Sequence, residues 1–236
     1  HHASYRRQRQ MCIRDRRSDS FDPSDSGRMS STLRIAVISS PNFQKGEPKM
    51  VTELFENGLD KFHLRKPDHS VARMAEFLDA IPRRMLKKII IHRTPELLKD
   101  YPVGGYHHTA RESLKPFRRS RSRSLHKLKE LANVEPELSY VFFGPVYHSI
   151  SKVGHKPKVP LADIRKSLAK LSKNPNRPMV YALGGIRRNK IGYLMDTGFD
   201  GVALLGSIWG KPNPVHAFKE FARTVDSHAS RLKGGF

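Results

Sequence analysis

From residue 29 onward, short runs of β-branched and aromatic residues alternate with amphipathic runs almost to the end of the chain. The first strand is predicted at Leu33–Ser39 (LRIAVIS) and the first helix at Pro48–Gly58. Lys61–Leu64 reads as a strand. Ser70–Ile81 reads as a helix, because Val71, Met74, Ala75, Leu78 and Ile81 recur at helical spacing. Lys88–His92 (KIIIH) is a buried strand followed by a short helix near Pro95–Asp100. Gly104–His108 and the cationic Phe117–Ser122 are weaker strands, ahead of a helix at Leu125–Ala132. Then come strand Ser139–Phe143 (SYVFF), helix Leu161–Leu171, strand Pro178–Leu183 (PMVYAL), helix Arg188–Thr197, strand Gly201–Leu205 (GVALL) and a closing helix at Pro214–Thr224. Strands that alternate with helix-sized segments predict parallel pairing with helices covering the sheet. Eight such units in roughly 200 residues favour an α/β fold of the closed, parallel, eight-stranded (β/α)8 TIM-barrel type. Ser39-Ser40-Pro41 stands where a dinucleotide-binding fold would place its glycine fingerprint.

Residues 1–28 break the pattern. They have low complexity and no apolar period, and are expected to be a disordered, non-native leader, with Met29 as the natural start and 29–236 as one barrel domain. The longest apolar stretches, Tyr140–Val146 and Gly201–Trp209, are far shorter than the ~20 residues that span a bilayer. A cytoplasmic enzyme with no membrane partner is therefore expected. The single cysteine, Cys12, rules out a disulfide within one chain and a cysteine-based zinc site.

The formal net charge of +22 raises a nucleic-acid partner. Yet the charge is spread along the whole chain, and Arg118–Arg123 (RRSRSR), the one Arg/Ser tract, is short and lies between two periodic segments. A preference for phosphorylated substrates is the plainer account, with a non-catalytic basic phosphate- or RNA-binding protein as the alternative of another class.

In a (β/α)8 barrel the reacting groups sit where strands end. The seventh strand ends in Gly184-Gly185-Ile186 and the eighth in Leu205-Gly206-Ser207. Bare N–H groups there can point at a phosphate, or the glycines can simply end strands. After the sixth strand, Ser149, Ser151 and Lys152 are donors suited to phosphate or pyrophosphate, or form a solvated loop. If Leu64 packs outward, His63 and Arg65 point together into the barrel mouth, where Arg65 meets either a substrate phosphate or a structural ion pair. Ser124 and His126 follow the fifth strand, and His126 is either a proton shuttle or structural. His92, His107 and His108 at strand ends either hold a metal or fill the barrel top.

Together these segments resemble the thiamine phosphate synthase family, which includes the thiazole tautomerases. The matching stretches are FHLRKP (Phe62–Pro67), GGYHHTARE (Gly104–Glu112), SRSLHKLKEL (Ser122–Leu131), YVFFGPVYHSISKVGH (Tyr140–His155), ALGGI (Ala182–Ile186) and GFDGVALLGSIWG (Gly198–Gly210). The resemblance implies a (β/α)8 barrel that joins an aminopyrimidine methyl diphosphate to a thiazole ethyl phosphate, releasing pyrophosphate. It assigns Arg65 and Lys152 to the diphosphate, with Ser124 hydrogen-bonding it, and places His63 beside the pyrimidine. Ser149 and Ser151 would bind the thiazole, and Gly185, Leu205 and Gly206 its phosphate. The resemblance also leaves room for a homodimer.

Two departures bear on this. His63-Leu64-Arg65-Lys66-Pro67 stands where the synthase pattern is Gln-Leu-Arg-Glu-Lys, which makes Lys66 the candidate second cation. His92-Arg93 stands where the family has Asn and a magnesium-binding Asp. The second magnesium carboxylate aligns loosely with Glu112. Arg93 cannot ligate Mg²⁺ but can neutralise pyrophosphate directly. Ser124-Leu125-His126 is similar to the Ser-Val-His stretch of the tautomerases. This gives a runner-up activity, in which His126 moves a proton on a thiazole carboxylate phosphate without magnesium.

Overall fold

A computed structural model describes residues 32–115, 117, 119–148 and 157–233. The leader, together with Ser149, Ser151 and Lys152, lies outside the described residues.

Eight strands close into one parallel barrel in chain order. They are β1 (Arg34–Ile38), β2 (Lys61–Leu64), β3 (Ile89–His92), β4 (Gly105–His108), β5 (Ser120–Leu125), β6 (Tyr140–Phe143), β7 (Met179–Leu183) and β8 (Gly201–Leu204). The closing pair, β1 with β8, runs from Arg34↔Gly201 to Val37↔Leu204. The helices are α1 (Glu47–Glu56), α2 (Val71–Asp79), α3 (Arg83–Leu86), α4 (Leu97–Asp100), α5 (Leu128–Ala132), α6 (Leu161–Leu171), α7 (Ile191–Thr197), α8 (Gly206–Trp209) and α9 (Pro214–Lys233). Among the described residues no helix is long and apolar enough to cross a membrane.

Strand alternation divides the core in two. Outward positions such as Val37, Phe62, Leu64, Ile91, Val141 and Val202 join one large cluster with the helices, to which Leu54, Leu78, Ile164, Leu194 and Phe218 contribute. Inward positions Ala36, Ile38, Tyr140, Phe142, Tyr181 and Ala203 form a second cluster inside the barrel. Leu64 does pack outward, so its neighbours His63 and Arg65 share the inner side.

The fifth strand departs from expectation: it runs through Leu125, three residues later than Phe117–Ser122, and α5 begins correspondingly late. An apolar-run criterion cannot see this strand, because Ser122 and Ser124 on its inner face bond to His107 of β4. On its outer face Arg123 pairs with Glu135. Before it, Arg119 donates to the carbonyls of Tyr101 and Val103 at 2.6 and 3.0 Å. Among the described residues of the Arg118–Arg123 tract, Arg119 and Arg123 are therefore held by protein partners. Helices α3 and α8 were not predicted either, each being a single turn too short for periodicity to register.

Candidate active site

At the carboxyl ends of the strands lies a cavity of about 370 Å³. Its lining includes Arg65, His92, Arg93, His107, Ser124 and His126 from the β2–β5 side. From the β6–β8 side come Phe142, Gly144, Pro145, Gly184, Gly185, Ile186, Leu205, Gly206 and Ser207. The barrel thus brings together eight predicted site residues: Arg65, His92, Arg93, Ser124, His126, Gly185, Leu205 and Gly206.

Two guanidiniums face this space. Arg65 is half-buried and Arg93 exposed, and neither has a side-chain hydrogen bond or ion pair among the described residues. Burial, and then the Arg93 charge, pull the Arg65 pKa down, with Asp68 opposing. An arginine stays charged regardless, so the direction reports a half-buried cation with a second cation beside it. Arg93 follows β3 with φ 64°, a left-handed conformation that costs a long side chain about 1 kcal/mol or more. Such strain persists where the surrounding structure holds it.

Across the cavity, Gly184 and Gly185 have φ 96° and 66°. A Cβ on Gly185 would stand 2.2 Å from the His148 carbonyl oxygen. This loop therefore accepts only glycine, whose backbone can approach a ligand closely. Next to it, the first-turn N–H groups of α8 have no partner within their own helix. Trp209 ties this corner to β1 by donating from Nε1 to the Ile38 carbonyl at 2.7 Å.

Beneath the cavity lies a set of imidazoles. His63 Nδ1 sits 3.0 Å from His92 Nε2, and His63 Nε2 sits 2.8 Å from Tyr140 Oη. His107 bridges Ser122 Oγ at 2.8 Å and Ser124 Oγ at 2.9 Å. Burial first, and then nearby positive charge, holds His63 and His92 well below the usual imidazole range and His107 down to about 3. His126 differs: it is exposed, and its Nδ1 lies 2.6 Å from the Gly144 carbonyl. That acceptor requires the proton on Nδ1 and leaves the Nε2 lone pair free.

Four predicted residues are placed away from the cavity. Lys66 is fully occupied by Glu47, at 2.8 and 2.7 Å from its two carboxylate oxygens, and by the carbonyls of Ser40 and Asn42. Both side chains of the ion pair are buried, so Lys66 locks the loop after β1 onto the end of β2 and is not the second cation of the cavity. His63 is fully buried one step before Arg65, below the lining instead of beside a substrate. Glu112 accepts from Tyr106 Oη at 3.0 Å and from the Thr109 N–H at 3.2 Å, outside the lining. His108, on the outer face of β4, accepts from the Lys115 N–H and meets the Tyr106 ring edge-on, which separates it from the other histidines. The pairing of Lys66 with Glu47 had no sequence signal, because the partners lie 19 positions apart in different elements.

A (β/α)8 barrel whose mouth sets arginines, unpaired among the described residues, opposite a glycine loop defines the class: a barrel enzyme with its site at the carboxyl ends of the strands. The profile of the thiamine monophosphate synthase (TMP-TENI) family matches residues 35–208, and the chain belongs to that family. An 80-residue stretch is 34% identical to the thiamine-phosphate synthase of Bacteroides fragilis strain YCH46, covering 34% of this chain and 39% of that relative. The thiamine phosphate pyrophosphorylase of Bacteroides thetaiotaomicron superposes with a TM-score of 0.69 at 27% identity, over 82% of this chain and 98% of that one. Its counterpart from Pyrococcus furiosus gives 0.69 at 19% identity over 85% and 99%, a likeness of fold.

Members of this family are generally magnesium-dependent. Mg²⁺ takes hard oxygen donors in near-octahedral geometry. No carboxylate belongs to the described lining: Arg93 stands where one was expected and Glu112 points elsewhere. Residues 149–156 contain no Asp or Glu. These residues do not fit a magnesium ion held by the protein.

Proposed function

We propose that the protein couples an aminopyrimidine methyl diphosphate to a thiazole ethyl phosphate, releasing pyrophosphate. The observation that carries this reading is the presence of two anion-attracting sides in one cavity. Arg65 and Arg93 suit a diphosphate, and the Gly184–Gly185 loop with the N–H groups of Gly206 and Ser207 suits a monophosphate. Departure of pyrophosphate from the pyrimidine methylene leaves a cation, which the thiazole nitrogen captures. The protein's task is then to align the two rings and stabilise the departing charge. Arg93 takes up negative charge directly, where relatives use a metal-binding carboxylate. Ser124 reaches the diphosphate from its bond to His107, and the family resemblance assigns Lys152 to the diphosphate and Ser149 and Ser151 to the thiazole.

The fixed tautomer of His126 favours a second reading, a thiazole tautomerase in which Nε2 moves the proton. The two readings part in one experiment: incubation with both phosphorylated substrates, and separately with thiazole carboxylate phosphate alone, each with and without chelator. Chelator-resistant formation of thiamine phosphate supports coupling and the role of Arg93. Strict magnesium dependence removes that role. Conversion of the carboxylate alone, abolished by His126→Ala, establishes the tautomerase instead.

A further inference from the structure

Neighbouring strands β2, β3 and β4 carry three imidazoles into the barrel side by side. His63, His92 and His107 are 0%, 9% and 4% exposed. One nitrogen from each lies within 4.8 Å of the others, and His63 Nδ1 is 3.0 Å from His92 Nε2. We propose that these three side chains bind one first-row transition-metal dication of the zinc or cobalt class at the floor of the cavity. Two nitrogens on a tetrahedral zinc, each at about 2.0–2.1 Å, stand about 3.4 Å apart. His63 and His92 are close to that spacing, and the His107 ring, whose nitrogen lies within 4.8 Å of theirs, reaches it by moving toward them.

The outward nitrogens are already held. His63 Nε2 meets Tyr140 Oη at 2.8 Å and His107 Nδ1 meets Ser122 Oγ at 2.8 Å. Such hydroxyls fix the orientation and tautomer of these two rings, as the outer partners of metal-bound histidines do, and His107 turns Nε2 to the metal by giving up its 2.9 Å contact with Ser124 Oγ. Neutral imidazole is the form that ligates, so a ring that binds through one nitrogen keeps its proton on the other. Three nitrogen donors select zinc, cobalt or nickel over magnesium. His92 and His107 also line the cavity, so the remaining coordination position opens toward it and takes water or a phosphate oxygen. Arg65 and Arg93 above repel a dication, and an anion in that position offsets them. The inference does not rest on the coupling reaction, because the metal is the only ligand it needs.

The test is cobalt(II) titration of the chelator-treated full chain, followed by metal analysis and visible absorption. The expected result is one cobalt per chain, with the intense visible bands of a four- or five-coordinate ion. His107→Ala lowers cobalt affinity by more than the roughly 10- to 100-fold that loss of an outer partner causes, and Ser122→Ala lowers it by about 10-fold. The exposed histidines that both variants keep supply the background. No cobalt above that background, the pale spectrum of a six-coordinate ion, or uptake unchanged in both variants overturns the proposal. The wild-type spectrum decides even if His107→Ala fails to fold.

Discussion

On one side of the barrel interior, Ala36, Ile38, Phe142, Tyr181 and Ala203 pack as a continuous apolar wall. On the other side, β2 to β5 present His63, His92, His107, Ser122 and Ser124, joined by hydrogen bonds. Tyr140 belongs to both, with its ring in the apolar cluster and its hydroxyl on His63. The apolar wall is stabilised by removing surface from water. The polar wall has no such gain, and each buried nitrogen or hydroxyl there needs a partner merely to offset its desolvation. Changes to the apolar wall should therefore move stability, whereas changes at the rim of the polar wall should move activity.

The largest expected effect lies outside both walls, where Lys66 joins the loop after β1 to the end of β2. Lys66→Met leaves Glu47 buried without its counter-charge and should destabilise the fold by about 3–5 kcal/mol. Urea unfolding measures this, and substrate KM at a temperature where the variant is folded should be unchanged. A raised KM with intact stability would return Lys66 to the cavity. Next, Arg65→Ala should lower kcat/KM for coupling by about 10²–10³-fold, the range for loss of one charge-stabilising donor. Its melting temperature should hardly move, since Arg65 has no side-chain partner among the described residues to lose. Equal losses in both quantities would make Arg65 structural.

Gly185→Ala should destabilise by about 2 kcal/mol, because its φ of 66° disfavours a Cβ that would also press on the His148 carbonyl. It should also raise KM for the thiazole phosphate more than for the diphosphate. Wild-type stability and kinetics would deny the loop its tight geometry. The smallest effect is also the finest comparison. Tyr140→Phe removes the hydroxyl that holds His63 and should cost about 1 kcal/mol. Tyr181→Phe removes a buried hydroxyl with no partner among the described residues and should be neutral or stabilising by a similar amount. The same sign for both would erase the distinction between the walls.

Strands such as Lys61–Leu64 and helices such as Leu161–Leu171 were legible to the residue, because a short apolar run or a helical period is local information. β5 was displaced because its sequence, SRSRSL, records contacts with other strands more than its own preference. One rule, that chemistry gathers at strand ends, put Arg65, Arg93, Ser124, His126 and the two glycine loops together, and the structure places them around one cavity. The same rule misassigned Lys66 and Glu112. Whether a strand-end charge faces a cavity or a protein partner depends on an element elsewhere in the chain, and spacing carries no trace of it. His63 and His107 against His108 show the intermediate case. Alternation predicts that neighbours point apart, but not that three strands set their inward histidines within reach of one another.

The account's central claim is that two anions meet in one cavity, with the arginines on one side and the glycine loop on the other. A crystal structure with pyrophosphate and thiazole ethyl phosphate bound together tests it most directly. The account predicts pyrophosphate between Arg65 and Arg93, and the monophosphate against the backbone of Gly185 and Gly206. Pyrophosphate bound away from both arginines, or a monophosphate that avoids the glycine loop, would contradict it.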